Sequence, residues 1–582
     1  MIYTAITIGP IYNTLTSVKS TKAIWAASYL FSWLMKKLLE DIPKDKLVDV
    51  LMPYLPEKND SSVKAGLFPD RCILKRNYAH EFQAKKKQLI QDLAERTLDD
   101  VKSRRQYLDR SAPRTDLDVT TKEIEGFLAD YLRVDVVEME LESSINPIFE
   151  INKILDSQEL LQLPLEELKV DYLNLFFETV YYNFLVRKKY FGEQKYFPST
   201  AEISTYGFKE ESSYYEAQKT LRKSEGPGQS VDAAAKSQHD FYKKVKSEFS
   251  PLFRNHHKYM AIVQADGDNM GKVISAIYDS EDKEGAEKNF KLFSEQLFKF
   301  TSQSVQLIQD WAAVPVYGGG DDLLFFSPVA KPNHLPASTN KVGVIAETIF
   351  DLIDKLDQLF DDLILKDEGL QPIIDKLKDN EKPVLPTLSF GVSIGYYKYP
   401  LNESLIKSAG LLFGQAKQQP GKNSVAFEII KHSGQHFGAT FNKSSGAYQA
   451  FKEMIRPSQN KEFIPDESFL RSIAHKLELL SASILAIAEQ NNPGNGATER
   501  NRMFQNLFEN HFDEAIHREG KDLNPFLVSV LSLLQKIYTD SPVSVASGQK
   551  AKAKIHEANI QKLYASLRFV SFIHNKEDRD EF

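Results

Sequence analysis

Three observations in the 582-residue sequence predict an α+β fold. Runs with strand character gather in two clusters, one in residues 1–146 and one in residues 251–444, and both are interleaved with helical periodicity. Residues 147–250, between the clusters, read as a mainly helical insert, and residues 445–582 as a C-terminal helical domain.

In the first cluster, residues 3–8 read as a strand, and residues 22–39 as a helix with Ile24, Trp25, Tyr29, Leu30, Leu34 and Leu38 on its apolar positions. Residues 66–71 then introduce the strand 72–74, a charged helix covers about 81–105, and residues 134–141 alternate as a strand does. The order βα…βαβ is that of a ferredoxin-like palm. The insert is broken at 224–230, where Gly226, Pro227 and Gly228 forbid a continuous helix. A second series, with strands at 259–265, 314–317, 323–327 and 388–396, makes a second palm. Two ferredoxin-like palms in one chain point to duplication, although no sequence repeat proves it. In the C-terminal part Phe469, Ile473, Leu477, Leu480, Ile484 and Ile487 fall on one helical face after the cap candidate Asp466, and the acidic end 577–582 reads as a solvated terminus.

Composition narrows the function. With 73 basic and 80 acidic side chains the formal charge is −7, so the chain as a whole repels a phosphate backbone, and any nucleic-acid contact is local or supplied by partners. The single cysteine, Cys72, removes a disulfide framework and any Cys-rich zinc module, so no zinc is expected and the setting reads as reducing. The apolar stretch 23–35 is too short to span a bilayer and reads as a buried helix, so a cytoplasmic protein with no membrane contact is expected.

The sharpest local pattern is Tyr317-Gly318-Gly319-Gly320-Asp321-Asp322-Leu323, flanked by apolar residues on both sides. It reads as a β-hairpin whose glycines supply positive φ and whose carboxylates stand at the tip, and by itself it also reads as an ordinary Gly-Asp turn. Residues 261–265 form a buried strand that ends in Asp266, followed by Gly267, Asp268 and Asn269 and then a helix. A central strand ending in one carboxylate, beside a hairpin ending in two more, is how a two-metal site is assembled. Asp266, Asp321 and Asp322 are hard oxygen ligands for Mg²⁺ or Mn²⁺, with Asp321 and Asp322 at the catalytic tip. A helix from about 408 then leads to Lys417 and Lys422 before another strand. Cations there hold the phosphates of a nucleotide, or serve only as partners of the helix dipole. The glycine spacing is not that of a Walker loop. The expected nucleotide-binding and phosphate-binding set is Gly267, Asp268, Asn269, Gly319, Gly320, Lys417 and Lys422.

The order of Asp266-Gly267-Asp268-Asn269-Met270-Gly271, Gly319-Gly320-Asp321-Asp322, Phe390-Gly391-Val392-Ser393-Ile394-Gly395, and Lys422-Asn423 before Ser433-Gly434 resembles the large palm subunit of type III-B CRISPR RNA-guided (Cmr) effector complexes. Ile8-Gly9-Pro10-Ile11, the run from Trp25 to Leu30, and residues 66–71 resemble that family's first palm. The resemblance implies an antiviral subunit that assembles with other complex subunits, crRNA and target RNA. On target binding it would make a nucleotide second messenger from ATP through a cyclase-like second palm. By the same resemblance Asp266, Asp321 and Asp322 bind metal, Lys417 and Lys422 bind phosphate, and Ser28, Gly66, Asp70 and Arg71 belong to an acceptor pocket. A diguanylate cyclase would show Glu-Phe after Gly-Gly-Asp, and this chain has Asp322-Leu323.

Two departures from the family matter. The chain starts at the first palm with no HD nuclease constellation. Its His239-Asp240 pair reads as a helix surface, and His256 and His257 read as hairpin-surface or core-edge residues. DNA cleavage is therefore not expected. Asp70 stands where relatives often carry Asn, and a carboxylate there repels a second triphosphate and attracts a cationic acceptor such as the sulfonium of S-adenosylmethionine. A turn-capping role for Asp70, or a pairing with Arg71, stays open, as does a reading of the palms as a catalytically inert scaffold.

Overall fold

The computed structural model describes residues 1–40, 42–56, 65–108, 121–142, 145–160, 197–224, 231–250, 252–279, 283–332, 345–379, 381–455, 467–490, 496–512, 518–519, 522–543 and 548–574. The 225–230 loop, the cap candidate Asp466 and the acidic end lie outside these residues.

Strands β1 (Ile2–Gly9), β2 (Val50–Met52), β3 (Arg71–Lys75) and β4 (Arg133–Glu140) form a sheet in the order β2-β3-β1-β4, every pair antiparallel. Alternation along β1 sends Tyr3 and Ala5 to one core and Ile6 and Ile8 to another, so both faces of the sheet are covered. β2 was not legible in the sequence because it has only three residues and its pairing is irregular between Val50 and Met52.

The helix Thr21–Leu39 begins at Ser20, whose hydroxyl accepts from the Ala23 amide, and ends with Lys36 and Lys37, as the helix dipole favours. It is buried along almost its whole length because it has a sheet on each side. Trp25, Leu30 and Phe31 share one core with Ile6 and Leu74 of the first sheet and with Ile262, Val316 and Phe326 of the second.

The second sheet consists of β5 (Tyr259–Asp268), β6 (Val314–Gly319), β7 (Asp322–Pro328), β8 (Thr387–Tyr396), β9 (Ser424–Ile430) and β10 (His436–Asn442). Its order is β10-β9-β8-β5-β7-β6. All pairs are antiparallel except β8 with β9, a parallel pair that needs a crossover and has one in the helix Leu401–Gly414. Four adjacent strands, β6-β7-β5-β8, repeat the order β2-β3-β1-β4 of the first sheet. The duplication that the sequence hints at is thus visible as topology.

The rest of the chain is largely helical. Among the described residues, the region between the sheets contributes Pro147–Leu160, Thr200–Ser204, Ser212–Ser224 and Val231–Glu248. The apolar stripe beginning at Phe469 is buried throughout but belongs to two helices, Glu467–Leu479 and Ser481–Ala488, with Leu480 at the break. His256 and His257 are core residues, with burial holding both rings below the usual imidazole range, and the Ile573 carbonyl lies 3.0 Å from His256 Nδ1. No helix among the described residues is long and apolar enough to cross a membrane.

Where the helix Leu401–Gly414 crosses β8, a methyl group on Gly391 would lie 2.2 Å from the Ser408 carbonyl oxygen and 2.5 Å from the Leu412 amide nitrogen. Backbone does not yield as a side chain does, so Gly391→Ala costs about 3 kcal/mol and lowers the melting temperature by several degrees. Gly410, exposed on the same helix with nothing near its missing methyl, behaves oppositely. Gly410→Ala is neutral or gains up to about 1 kcal/mol, and paired thermal melts check both signs.

Candidate active site

β6 and β7 are joined by a two-residue turn, with Gly319 facing Asp322 across the ladder and Gly320 at φ 69°. Asp321 is absent from the positive-φ residues, so only the first turn position needs the left-handed region that glycine supplies. The tip is fastened from outside the sheet by Thr301 Oγ1, which donates to the Gly320 carbonyl at 2.6 Å. Tyr317 folds its ring over Gly319, leaving no room there for a side chain.

β5 runs farther than the sequence suggests, to Asp268, and lies beside β7. A methyl on Gly267 would sit 2.3 Å from Asp321 Oδ2, so the missing side chain at this position lets the hairpin carboxylate reach the end of β5. Asp266, Asp321 and Asp322 come together here. Asp268 does not join them at the surface: it is fully buried, and its Oδ2 accepts from Ser389 Oγ at 2.7 Å, Thr387 Oγ1 at 2.9 Å and the Asn423 amide at 3.0 Å. The strand-end carboxylate expected to touch nucleotide instead ties β5 to β8 and to the turn carrying Lys422. A hydrogen bond to a charged group contributes about 1.5–3 kcal/mol, so this anchor is strong. Its signal was present in the sequence as two hydroxyl residues spaced by two in an apolar strand.

Lys417 pairs with Asp266, donates to the Gly267 carbonyl at 2.7 Å, and stands 3.7 Å from Asp268 Oδ1. Lys422 and Asn423 take left-handed φ of 54° and 46°, and the Lys422 carbonyl accepts from Ser424 Oγ at 2.6 Å and Asn442 Nδ2 at 3.1 Å. Asn269, at φ 62°, spends its side-chain amide on the Leu385 carbonyl at 2.9 Å.

The first palm meets this site along the edge strand β6. Ser28 Oγ donates to the Val316 carbonyl at 3.1 Å, the Gly318 amide donates to the Gly66 carbonyl at 3.0 Å, and Gly66 pairs in parallel with Tyr317. A bulge between Pro315 and Tyr317 opens the β6 ladder at this contact. Ser28, Gly66 and Asp70 therefore lie on the hairpin side. Arg71 does not, because its guanidinium is spent on Asp156 at 2.7 Å, Glu159 at 2.8 Å and Asn152 at 3.0 Å in the helix Pro147–Leu160. Arg71 still acts on Asp70 through its charge, which pulls the Asp70 carboxyl down against the effect of burial.

Electrostatics confirm the crowding of negative charge. Loss of solvent, and then repulsion from Asp266, raise Asp321 to about 6, against the pull of Lys417 and two backbone amides. Loss of solvent, repulsion from Asp321 and Asp266, and a hydrogen bond with Asp266 hold Asp322 well above the ordinary carboxylate range, although part of its side chain faces solvent at the hairpin tip. Asp70 is also raised to about 6, chiefly by burial, and its charge is felt at both Asp322 and Tyr317. The Tyr317 phenol, held well above its ordinary range by burial and by these carboxylates, is a site residue that the motif reading missed. As the side chains stand, no three His, Cys, Asp or Glu among the described residues form a ready metal cage. The chemistry of the donors still suits a hard divalent cation: three oxygen-bearing groups repel one another, with one lysine to offset them.

Paired sheets that share a four-strand order, with a carboxylate hairpin on the second, define an α+β protein of the palm fold. A family model described as "Cas10/Cmr2, second palm domain" matches residues 259–426. The CRISPR system Cmr subunit Cmr2 of Pyrococcus furiosus is 27% identical over 203 residues, covering 31% of this chain and only 20% of that relative's length. Among solved structures, the type III-B Cmr-beta complex in its apo state contains a chain with TM-score 0.52 and 11% identity, covering 92% of this chain and 81% of that one. The same complex bound to cognate target RNA gives TM-score 0.51 at 11% identity, covering 92% and 83%. Residues 259–426 thus match a Cas10/Cmr2 second palm domain, and the fold of the chain as a whole is similar to that of a Cmr-beta chain.

The raised carboxyl groups have a signed consequence for the metal-free protein. A folded pKa of about 6 for Asp321, above the ordinary 3.8, means that the folded state takes up the proton first, so stability is gained as pH falls through 6 and lost as it rises. Asp321→Asn removes the repulsion without removing the side chain. Thermal melts in EDTA are expected to show this variant more stable than wild type at pH 8, with the advantage shrinking by pH 5. Equal stability at pH 8 would count against the crowding.

Proposed function

We propose that this protein is the target-RNA-activated nucleotidyltransferase of a type III-B antiviral complex, acting in the cytoplasm with other complex subunits, crRNA and target RNA. The observation that carries the reading is the meeting of two half-sites. Ser28, Gly66 and Asp70 of the first palm lie against a hairpin whose Asp321 and Asp322 stand beside Asp266 and Lys417. In this reading residues 1–146 are the acceptor palm, 147–250 a helical insert, 251–444 the catalytic palm and 445–582 a helical domain.

ATP lies on the catalytic palm, with Lys417 and Lys422 toward its phosphates and the Gly319–Gly320 turn close to them. Asp266, Asp321 and Asp322 would hold Mg²⁺ or Mn²⁺, which supplies charge neutralisation and activation of a hydroxyl. Asp268 keeps β5, β8 and the Lys422 turn in register, so that lysine and carboxylates face one triphosphate. The acceptor's 3′-hydroxyl oxygen bonds to the α-phosphorus as the bond to the β-phosphate oxygen breaks, and pyrophosphate leaves.

Asp70 selects the acceptor. The Arg71 guanidinium is held by Asp156 and Glu159 and offsets Asp70 only in part, so the Asp70 carboxylate repels a second triphosphate and attracts a cation, favouring S-adenosylmethionine and an AMP adduct over cyclic oligoadenylate.

The test is to incubate the reconstituted complex with crRNA, target RNA, Mg²⁺ or Mn²⁺ and labelled ATP, with and without S-adenosylmethionine. Wild type is expected to form a product only when S-adenosylmethionine is present. Asp70→Asn shifts acceptor preference toward ATP by at least about tenfold, or roughly 1.4 kcal/mol. Asp321→Ala with Asp322→Ala abolishes product while target binding persists. ATP-only oligomers from wild type would overturn the role of Asp70 and leave the palm mechanism standing. No product from a complex that binds its target would leave an inert scaffold as the reading.

A further inference from the structure

A cavity of about 980 Å³ lies away from the carboxylates, where the outer strands β9 and β10 meet the helices Glu467–Leu479 and Gln549–His574. Its size is that of small-molecule sites in general. Three cationic side chains reach it from three separate elements: Lys431 from the β9–β10 hairpin, Arg471 from one helix and Arg568 from the other, with His436 and His475 beside them. Of its two acidic side chains, Glu428 is paired with Lys407 at 2.7 Å, and Glu478 lies on the same helix as Arg471.

Like charges drawn together from distant parts of a chain repel. In a protein of net charge −7 their convergence on one cavity marks a local positive field. Aromatic side chains contribute to the remaining walls. Phe437, Tyr564 and Phe572 line the space, and the Arg568 guanidinium lies 5.7 Å from the Phe437 ring centre. Cations suit phosphate, and ring faces or edges suit a planar base.

The cavity also touches the catalytic palm. Gln415 lines it, holds its side-chain oxygen 3.1 Å from Thr440 Oγ1, and immediately precedes the short 3₁₀ turn that carries Lys417.

We propose that this cavity is a second nucleotide site, binding a free nucleoside phosphate independently of the catalytic carboxylates and reporting its occupancy to Lys417 through Gln415. Binding in the cavity does not depend on the catalytic reading, since the residues that line it take part in no step of that reaction, whereas the link to Lys417 rests on that reading.

The test uses full-length protein with Lys417→Ala and Lys422→Ala, which weaken the catalytic site, in EDTA with labelled ATP under equilibrium dialysis. One ATP per chain is expected to remain bound. Adding Lys431→Ala and Arg568→Ala, both outside the buried core, is expected to weaken binding at least about tenfold, with an unchanged melting curve showing that the fold persists. Unlabelled ATP is expected to compete at least about tenfold better than tripolyphosphate, because the base adds to the phosphate contacts. The proposal is overturned if no ATP remains bound to the lysine-depleted protein, if the Lys431 and Arg568 changes leave affinity as it was, or if tripolyphosphate competes equally.

Discussion

The burial of one helix between two sheets underlies the rest of the structure. Thr21–Leu39 exposes almost none of its surface, and Trp25, Leu30, Phe31 and Met35 are essentially removed from water. Each such side chain contributes about 1.5–3 kcal/mol before the entropy of ordering is subtracted. Because the residues on the two sides of this helix belong to different sheets, its packing fixes the first palm against β6 of the second. The Ser28 and Gly66 hydrogen bonds to β6 have their register only because the helix is already in place.

Within that frame, the site is a place where repulsion is tolerated. Like charges about 4 Å apart near a protein surface repel by roughly 4 kcal/mol, a penalty that only a well-anchored backbone sustains. The anchors are specific: Thr301 on the hairpin tip, the Asp268 network beneath the end of β5, and Lys417 against Asp266. Thr301 and Asp268 act on the site through the backbone they hold, whereas Lys417 pairs with one of the carboxylates itself.

The doubled sheet also explains the asymmetry of the molecule. Both sheets share a four-strand order, yet among the described residues only the second has the carboxylate hairpin, and only the second is extended by β9 and β10. That extension gives the C-terminal helices a surface to pack on, and the cavity with its cationic rim lies along this seam. Each palm thus meets a different neighbour, the first sheet through the shared helix and the outer strands through the helical domain.

By itself the sequence determined the α+β class, the positions of most strands, the hairpin with Asp321 and Asp322, and the strand that leads to Asp266. These are local properties: alternation with period two, glycines where φ must be positive, and apolar runs of strand length. It did not determine β2, whose three residues carry no period, or the break at Leu480, which a continuous apolar stripe conceals. The tertiary structure alone decided that Asp268 turns inward to Ser389, that Arg71 is spent on Asp156 and Glu159, and that Tyr317 stands among carboxylates from both palms. The physical reason is the same each time. A side chain's partner is chosen by what folding brings within about 3 Å of it, and for Asp268 and Arg71 those partners lie scores of residues away.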